Sequence, residues 1–157
     1  MVDDFETFYR QSKDRCYRAL LVLAGNEADD LLAEAYARAW GRWSSLADHP
    51  RPEAWVMRTA MNLHRDRRRR ERLARRFRRR PDPVPGPELP IDPTVLAALR
   101  RLPERQRHVV ALRILLDLDT TEAAELLGIS PATARVHLHR ALGALRRTLT
   151  LEPEDLP

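Results

Sequence analysis

An all-α fold of two small helical domains joined by a proline-rich linker is the architecture this sequence predicts, and three observations predict it. No stretch sustains a period-2 alternation of β-branched residues, whereas apolar residues return every three or four positions along most of the chain. Six prolines crowd into "RRRPDPVPGPELPIDP", residues 78–93, which can hold neither helix nor central strand. A chain of 157 residues with 43% apolar side chains is enough for one core or two small ones.

The elements follow in order. Residues 3–24 form a first helix with Phe5, Phe8, Tyr9, Ala19, Leu20 and Leu23 as its apolar members, ended by Gly25 and Asn26. A second helix runs from about Glu27 to Trp43 and returns Leu31, Leu32, Ala35, Ala39, Trp40 and Trp43 to one face. "SSLADHPRP" breaks the pattern, because Pro50 and Pro52 cannot sit inside a helix. A third helix opens at Pro52 or Glu53 and carries "EAWVMRTAMNLHRDRRRR" into an arginine run. After the prolines, "PTVLAALRRL", "PERQRHVVALRILLD", "TTEAAELLG" and "SPATARVHLHRALGALRRTL" each read as a helix. The expected domains are residues 1–75 and 94–150, with a linker over 76–93 and a tail over 151–157.

The net charge of +5 is unevenly placed. Residues 1–63 carry −2, residues 64–80 carry +9 and residues 81–157 carry −2. Dense like charge repels itself unless a polyanion is near, so "HRDRRRRERLARRFRRR" points to a nucleic acid or an acidic protein partner, against the plainer reading of a solvated tract. The longest apolar run, "RALLVLAG", is far too short to cross a bilayer, and the charged N-terminus does not resemble a secretory signal. No membrane insertion and a cytoplasmic location are therefore expected. A single cysteine, Cys16, excludes an internal disulfide and reads as a packing residue.

"DTTEAAELLGISPATARVHLHRAL" has the parts of a helix-turn-helix in sequence. Asp119 or Thr120 caps the first helix, Gly128 permits the left-handed stop, Ile129 tucks the turn into the core, and Ser130 with Pro131 fixes the start of the second helix. On that second helix Ala134, Leu138, Ala141, Leu142, Leu145 and Leu149 share the inner face. Thr133, Val136 and Arg140 lie opposite, with Arg135 and His139 on the shoulders. Arginine bonds guanine O6 and N7, threonine a base edge or phosphate, and a valine touches a thymine methyl, so this face suits a major groove. His137 and His139 diverge by about 200° on a helix and cannot share a metal ion.

"NEADDLLAEAYARAWGRW", the proline loop, "EAWVMRTAMNLHRDRRRR", the linker and "LPERQRHVVALRILLDLDTTEAAELLGISPATARVHLHRAL" together resemble the sigma-70 family of RNA polymerase sigma factors. They look like its extracytoplasmic-function group, which keeps two domains, a region 2 helical bundle and a region 4 helix-turn-helix. The resemblance implies that "ADDLLAEAYARAW" docks on the clamp helices of the polymerase β′ subunit through Asp29, Asp30 and Glu34. Where the family often carries glutamine, this chain has Ala33. It implies that "LADHPRPE" is the minus-ten recognition loop and that the following helix grips the melted non-template strand. His49, Arg51, Arg58, Asn62 and Arg65 are the candidates for that work, with Arg67 and Arg68 through Arg70 on phosphates. Trp55 reads as a core anchor and His64 as a solvated neighbour of phosphate.

By the same resemblance Thr133, Arg135, Val136, His139 and Arg140 read the minus-thirty-five element, and the helices over residues 96–116 hold the β-flap tip. The implied partners are core RNA polymerase, promoter DNA and an anti-sigma factor. No cofactor, metal or catalytic residue is implied, since binding free energy drives the process. A different class, an autonomous helix-turn-helix repressor or activator, shares the recognition helix. A nucleic-acid enzyme is disfavoured by the absence of clustered carboxylates with a metal-binding histidine and of a phosphate-cradling glycine loop, with five glycines in all.

Overall fold

A computed structural model describes residues 2–74 and 90–150. The chain divides between Glu88 and Leu89 into two compact units. Of the expected linker over residues 76–93, residues 76–89 lie outside the described residues, as does the tail over 151–157.

The N-terminal unit is built on α1 (Val2–Ala24), α2 (Ala28–Gly41), the short α3 (Trp43–Leu46) and α4 (Pro52–Ala74). A single 3-10 turn, Gly25–Glu27, joins α1 to α2, and Gly25 takes the left-handed φ of +63° that the reversal requires. α1, α2 and α4 pack against one another around Cys16, Leu20, Leu31, Val56 and Met57, all fully buried. Burial of each large side chain contributes roughly 1.5–3 kcal/mol.

The second helix does not reach Trp43 as its periodicity predicts. Arg42 leaves helical geometry at φ −117°, ψ 14°, and the chain restarts as α3 inside the stretch expected to be irregular. The break changes which tryptophan is covered. Trp43 turns inward and stacks on Phe8 at 5.1 Å, while Trp40 stays 47% exposed with its edge against Phe5.

The C-terminal unit holds α5 (Pro93–Arg101), α6 (Glu104–Val110), α7 (Thr120–Leu127) and α8 (Pro131–Thr150). It takes hold of the chain before residue 94: Ile91 is buried, and the Asp92 carboxylate caps α5 by accepting the Thr94 N–H at 2.8 Å. The helix opened by Pro103 widens at Ala111–Leu115 into a π-type turn, where the Leu116 N–H reaches back to the Ala111 carbonyl. Asp117 then adopts φ +59°, a conformation aspartate tolerates better than most side chains, and the Arg113 guanidinium donates to the Leu118 carbonyl at 2.6 Å. These contacts set where α7 begins. Among the described residues no strand occurs, and no helix is long and apolar enough to cross a membrane.

Candidate nucleic-acid interface

The helix-turn-helix is held by reciprocal caps. Asp119 accepts the Glu122 N–H at 2.8 Å while Glu122 accepts the Asp119 N–H at 2.9 Å, so both orphan donors at the start of α7 are satisfied. Gly128 stops α7 at φ +65°, and the Arg105 guanidinium donates to the Leu127 carbonyl at 2.8 Å, tying the turn to α6. Ser130 Oγ accepts the Thr133 N–H at 3.1 Å and so caps α8.

On α8, Ala134 and Ala141 are buried and Leu138, Leu142, Leu145 and Leu149 half-buried, so the predicted inner face is centred on two alanines that admit close helix packing. Ile129 is half-buried beside it. Thr133, Arg135, Val136, His139 and Arg140 are all exposed, and Val136 is a large apolar side chain left 47% open. The Thr133 hydroxyl also bonds the Ser130 hydroxyl at 2.8 Å, which leaves it one further lone pair or proton for a ligand. His137 turns inward with its Nδ1 buried, while His139 faces out. Among the described residues no three His, Cys, Asp or Glu side chains gather as metal ligands would.

In the N-terminal unit, α4 divides its side chains by face. Glu53, Val56, Met57 and Ala60 are buried. Arg58, Asn62, Arg65 and Arg68 are exposed. An open cleft of about 520 Å³ runs beside Asn62, walled by Trp55, Thr59, Leu63 and Asp66 from α4 and by Arg38, Gly41 and Arg42 from the end of α2. Trp55, expected in the core, is half-buried and presents itself to this cleft. An aromatic face beside amide, carboxylate and guanidinium groups is chemically suited to a nucleobase, which stacks on one and hydrogen-bonds the others.

Arg67 falls on the other side of α4 from Asn62 and meets Glu34 of α2 at 3.6 Å; Glu34 also holds Arg38 at 2.8 Å. His64, expected to be solvated, has a side chain only 20% exposed, with Nδ1 3.0 Å from Glu27. Glu34 therefore neutralises part of the α4 charge within the fold, whereas Asp29 and Asp30 are exposed. In the loop ahead of α4, His49 is exposed and its Nδ1 accepts the Arg51 N–H at 3.0 Å, and Arg51 lies 3.5 Å from Glu53.

Two family models divide the chain along the same lines. That of Sigma-70 region 2 matches residues 8–74, which takes in most of α1 and all of α2 to α4. That of Sigma-70, region 4, matches residues 94–145, from α5 into α8. The chain belongs to the sigma-70 family of RNA polymerase sigma factors, in its extracytoplasmic-function group. Among curated proteins, this sigma factor is 31% identical to an RNA polymerase sigma-E factor of Streptomyces coelicolor over 97% of its own length and 89% of the relative's. It is 34% identical to the sigma-E factor of Streptomyces antibioticus over 98% and 87% of the two chains. Among solved structures, its fold is similar to that of the sigma factor RpoE from Bartonella quintana, crystallised with the anti-sigma factor NepR. The TM-score there is 0.73 and the identity 20%, over 95% of this chain and 98% of the other.

Sequence reasoning about this sigma factor missed the cleft wall and the internal ion pairs. The spacing 55, 59, 62, 66 on one helix was the available signal for the wall, since those positions lie within about 60° of one another. Nothing in the linear sequence pairs Glu27 with His64 or Glu34 with Arg67, because each pair joins α4 to a different segment.

Proposed function

We propose that this sigma factor binds core RNA polymerase and directs it to promoters by reading two elements, one with each unit. In this reading α8 enters the major groove at the minus-thirty-five element, with Arg135 and Arg140 on guanines or phosphates, Val136 against a methyl group, and Thr133 and His139 at the edges. The loop with His49 and Arg51, together with Arg58, Asn62 and Arg65, takes the melted minus-ten strand. The arginine run from Arg67 and Arg68 onward neutralises its phosphates. Asp29, Asp30 and Glu34 dock on the β′ clamp helices, and α5 with α6 on the β-flap. Residues 76–89 connect the two.

The observation that carries this reading is the pairing on one chain of two family modules, each with candidate DNA-contact side chains exposed. An autonomous helix-turn-helix regulator would leave the whole of residues 8–74 without a role. No bond is made or broken by the factor itself in this scheme, so it is an initiation factor and not an enzyme, and it works where the polymerase does, in the cytoplasm. Because the sigma factor RpoE was solved with the anti-sigma factor NepR, an anti-sigma protein is part of the proposal.

The test is transcription by core polymerase with and without the purified factor on a library of genomic fragments. A set of transcripts that appears only with the factor, sharing two sequence elements upstream of their starts, is the expected result. No promoter-dependent transcript from any fragment, combined with tight operator binding by the free protein, overturns the reading in favour of an autonomous regulator.

A further inference from the structure

One carboxylate stands against the charge of the helix that carries it. Residues 65–70 read "RDRRRR", and Asp66 is the acidic member. It is exposed, and Arg69 and Arg70 follow it at the spacing that favours an ion pair along a helix, yet it makes none among the described residues. Instead it lines the cleft of about 520 Å³ between α4 and the end of α2. A carboxylate beside a path for phosphates repels them, so its presence there weakens binding unless a donor on the ligand meets it.

The neighbours of Asp66 fix what that donor must be. Asn62 lies one turn back on the same face of α4, which sets the two side chains about 5–6 Å apart at Cβ, the span of one base edge. Asn62 offers an amide NH₂, whereas Asp66 offers two acceptor oxygens and no donor. Of the four bases only guanine presents two adjacent donors, N1–H and the N2 amino group, with an acceptor, O6, beside them. Thymine has one donor between two acceptors, and the amino groups of adenine and cytosine each adjoin a ring nitrogen whose lone pair would face the carboxylate. Across the cleft Arg42 is exposed and supplies a cation for the strand, while Arg38 is held by Glu34 at 2.8 Å. Trp55 stands about 10 Å back along α4 from Asn62, so its ring serves the neighbouring base.

We infer that Asp66 selects guanine at one position of the melted minus-ten strand: its carboxylate accepts N1–H and the N2 amino group while the Asn62 amide donates to O6. The inference rests on the promoter-reading function proposed above. It adds to that function the identity of one base and the residue that chooses it.

The test uses holoenzyme reconstituted with core polymerase and pre-melted fragments of a promoter that the wild-type factor selects, with each minus-ten position of the non-template strand changed in turn. For the wild type, one position is expected to favour guanine over the other three bases by about tenfold or more, the scale of one good bidentate contact. Hypoxanthine at that position lacks the N2 amino group and is expected to bind about tenfold more weakly than guanine, the worth of one hydrogen bond to a charged group. Asp66→Asn changes an exposed side chain and is expected to keep the melting temperature and the minus-thirty-five discrimination while binding guanine and hypoxanthine alike. An Asp66→Asn factor that still separates guanine from hypoxanthine overturns the inference. So does a change of equal size on every fragment, which marks a general electrostatic role. If the wild-type factor supports no promoter-dependent transcription, the promoter reading fails and this inference falls with it; if it transcribes but no minus-ten position favours guanine, the inference alone falls.

Discussion

Cys16 is fully buried, and desolvation pushes its thiol up to about 11, from an ordinary 9.0, while Tyr36 beside it is raised for the same reason. A group whose folded pKa is raised releases its proton more readily when unfolded. Its contribution to stability is thus fully present below pH 9.0 and is lost as pH climbs toward 11. Denaturation midpoints are accordingly expected to fall between pH 9 and 11, and Cys16→Ser is expected to reduce that slope. A thiol reagent should modify the native protein at pH 8 only at the rate of unfolding. Gly128 makes a second point at this scale. A Cβ there would meet nothing within 4 Å, so the obstacle to substitution is its φ of +65° alone. Gly128→Ala is expected to cost about 1 kcal/mol in chemical denaturation and Gly128→Asn less, because asparagine tolerates that region.

Each of the two helices proposed to meet DNA presents one face to solvent and packs the other. On α8 that separation makes opposite outcomes testable within one helix. Arg140→Ala removes an exposed guanidinium, and is expected to leave the melting temperature within a degree or two while costing about 1–3 kcal/mol of promoter binding and relaxing the sequence preference in the minus-thirty-five element. Ala141→Leu, one residue on, pushes a larger side chain into a fully buried site and is expected to destabilise the unit by about 1–3 kcal/mol without altering which base is preferred. Binding selections on randomised elements and thermal melts of both variants check the pair. On α4 the division is less clean, because His64 and Arg67 of the basic run turn back toward Glu27 and Glu34.

Across the whole molecule the charge of +9 over residues 64–80 stands against mildly acidic flanks. Its described part belongs to α4, where Arg68, Arg69 and Arg70 are exposed. If these side chains neutralise single-stranded phosphates, Arg68→Gln with Arg69→Gln is expected to lower the slope of log affinity against log salt by about 1.4, at roughly 0.7 per contact. Arg67→Gln, whose guanidinium already faces Glu34, is expected to change the slope less than either exposed position. Holoenzyme binding to a pre-melted promoter fragment across a salt series measures both. A fall of about 0.7 for Arg67→Gln, half that of the double variant, would show that the internal ion pair leaves Arg67 as available as its neighbours.

What the sequence by itself determined is local. The caps at Asp119 and Ser130, the stop at Gly128, the opening of α4 at Pro52 and the inward set on α8 were legible because each depends on residues within one or two helical turns. The two modules were legible too, since their order and spacing lie along the chain. The tertiary structure alone decided which side of a helix meets what. It broke α2 at Arg42 so that Trp43 and not Trp40 is covered, brought Trp55 out to the cleft beside Asn62, and turned Arg67 and His64 toward acidic partners from other segments. It also buried Glu53 between helices, with Arg51 as its cation. The reason is physical: a period of 3.6 residues fixes which side chains share a face, but the identity of the neighbour across that face is set by packing between segments far apart in the chain.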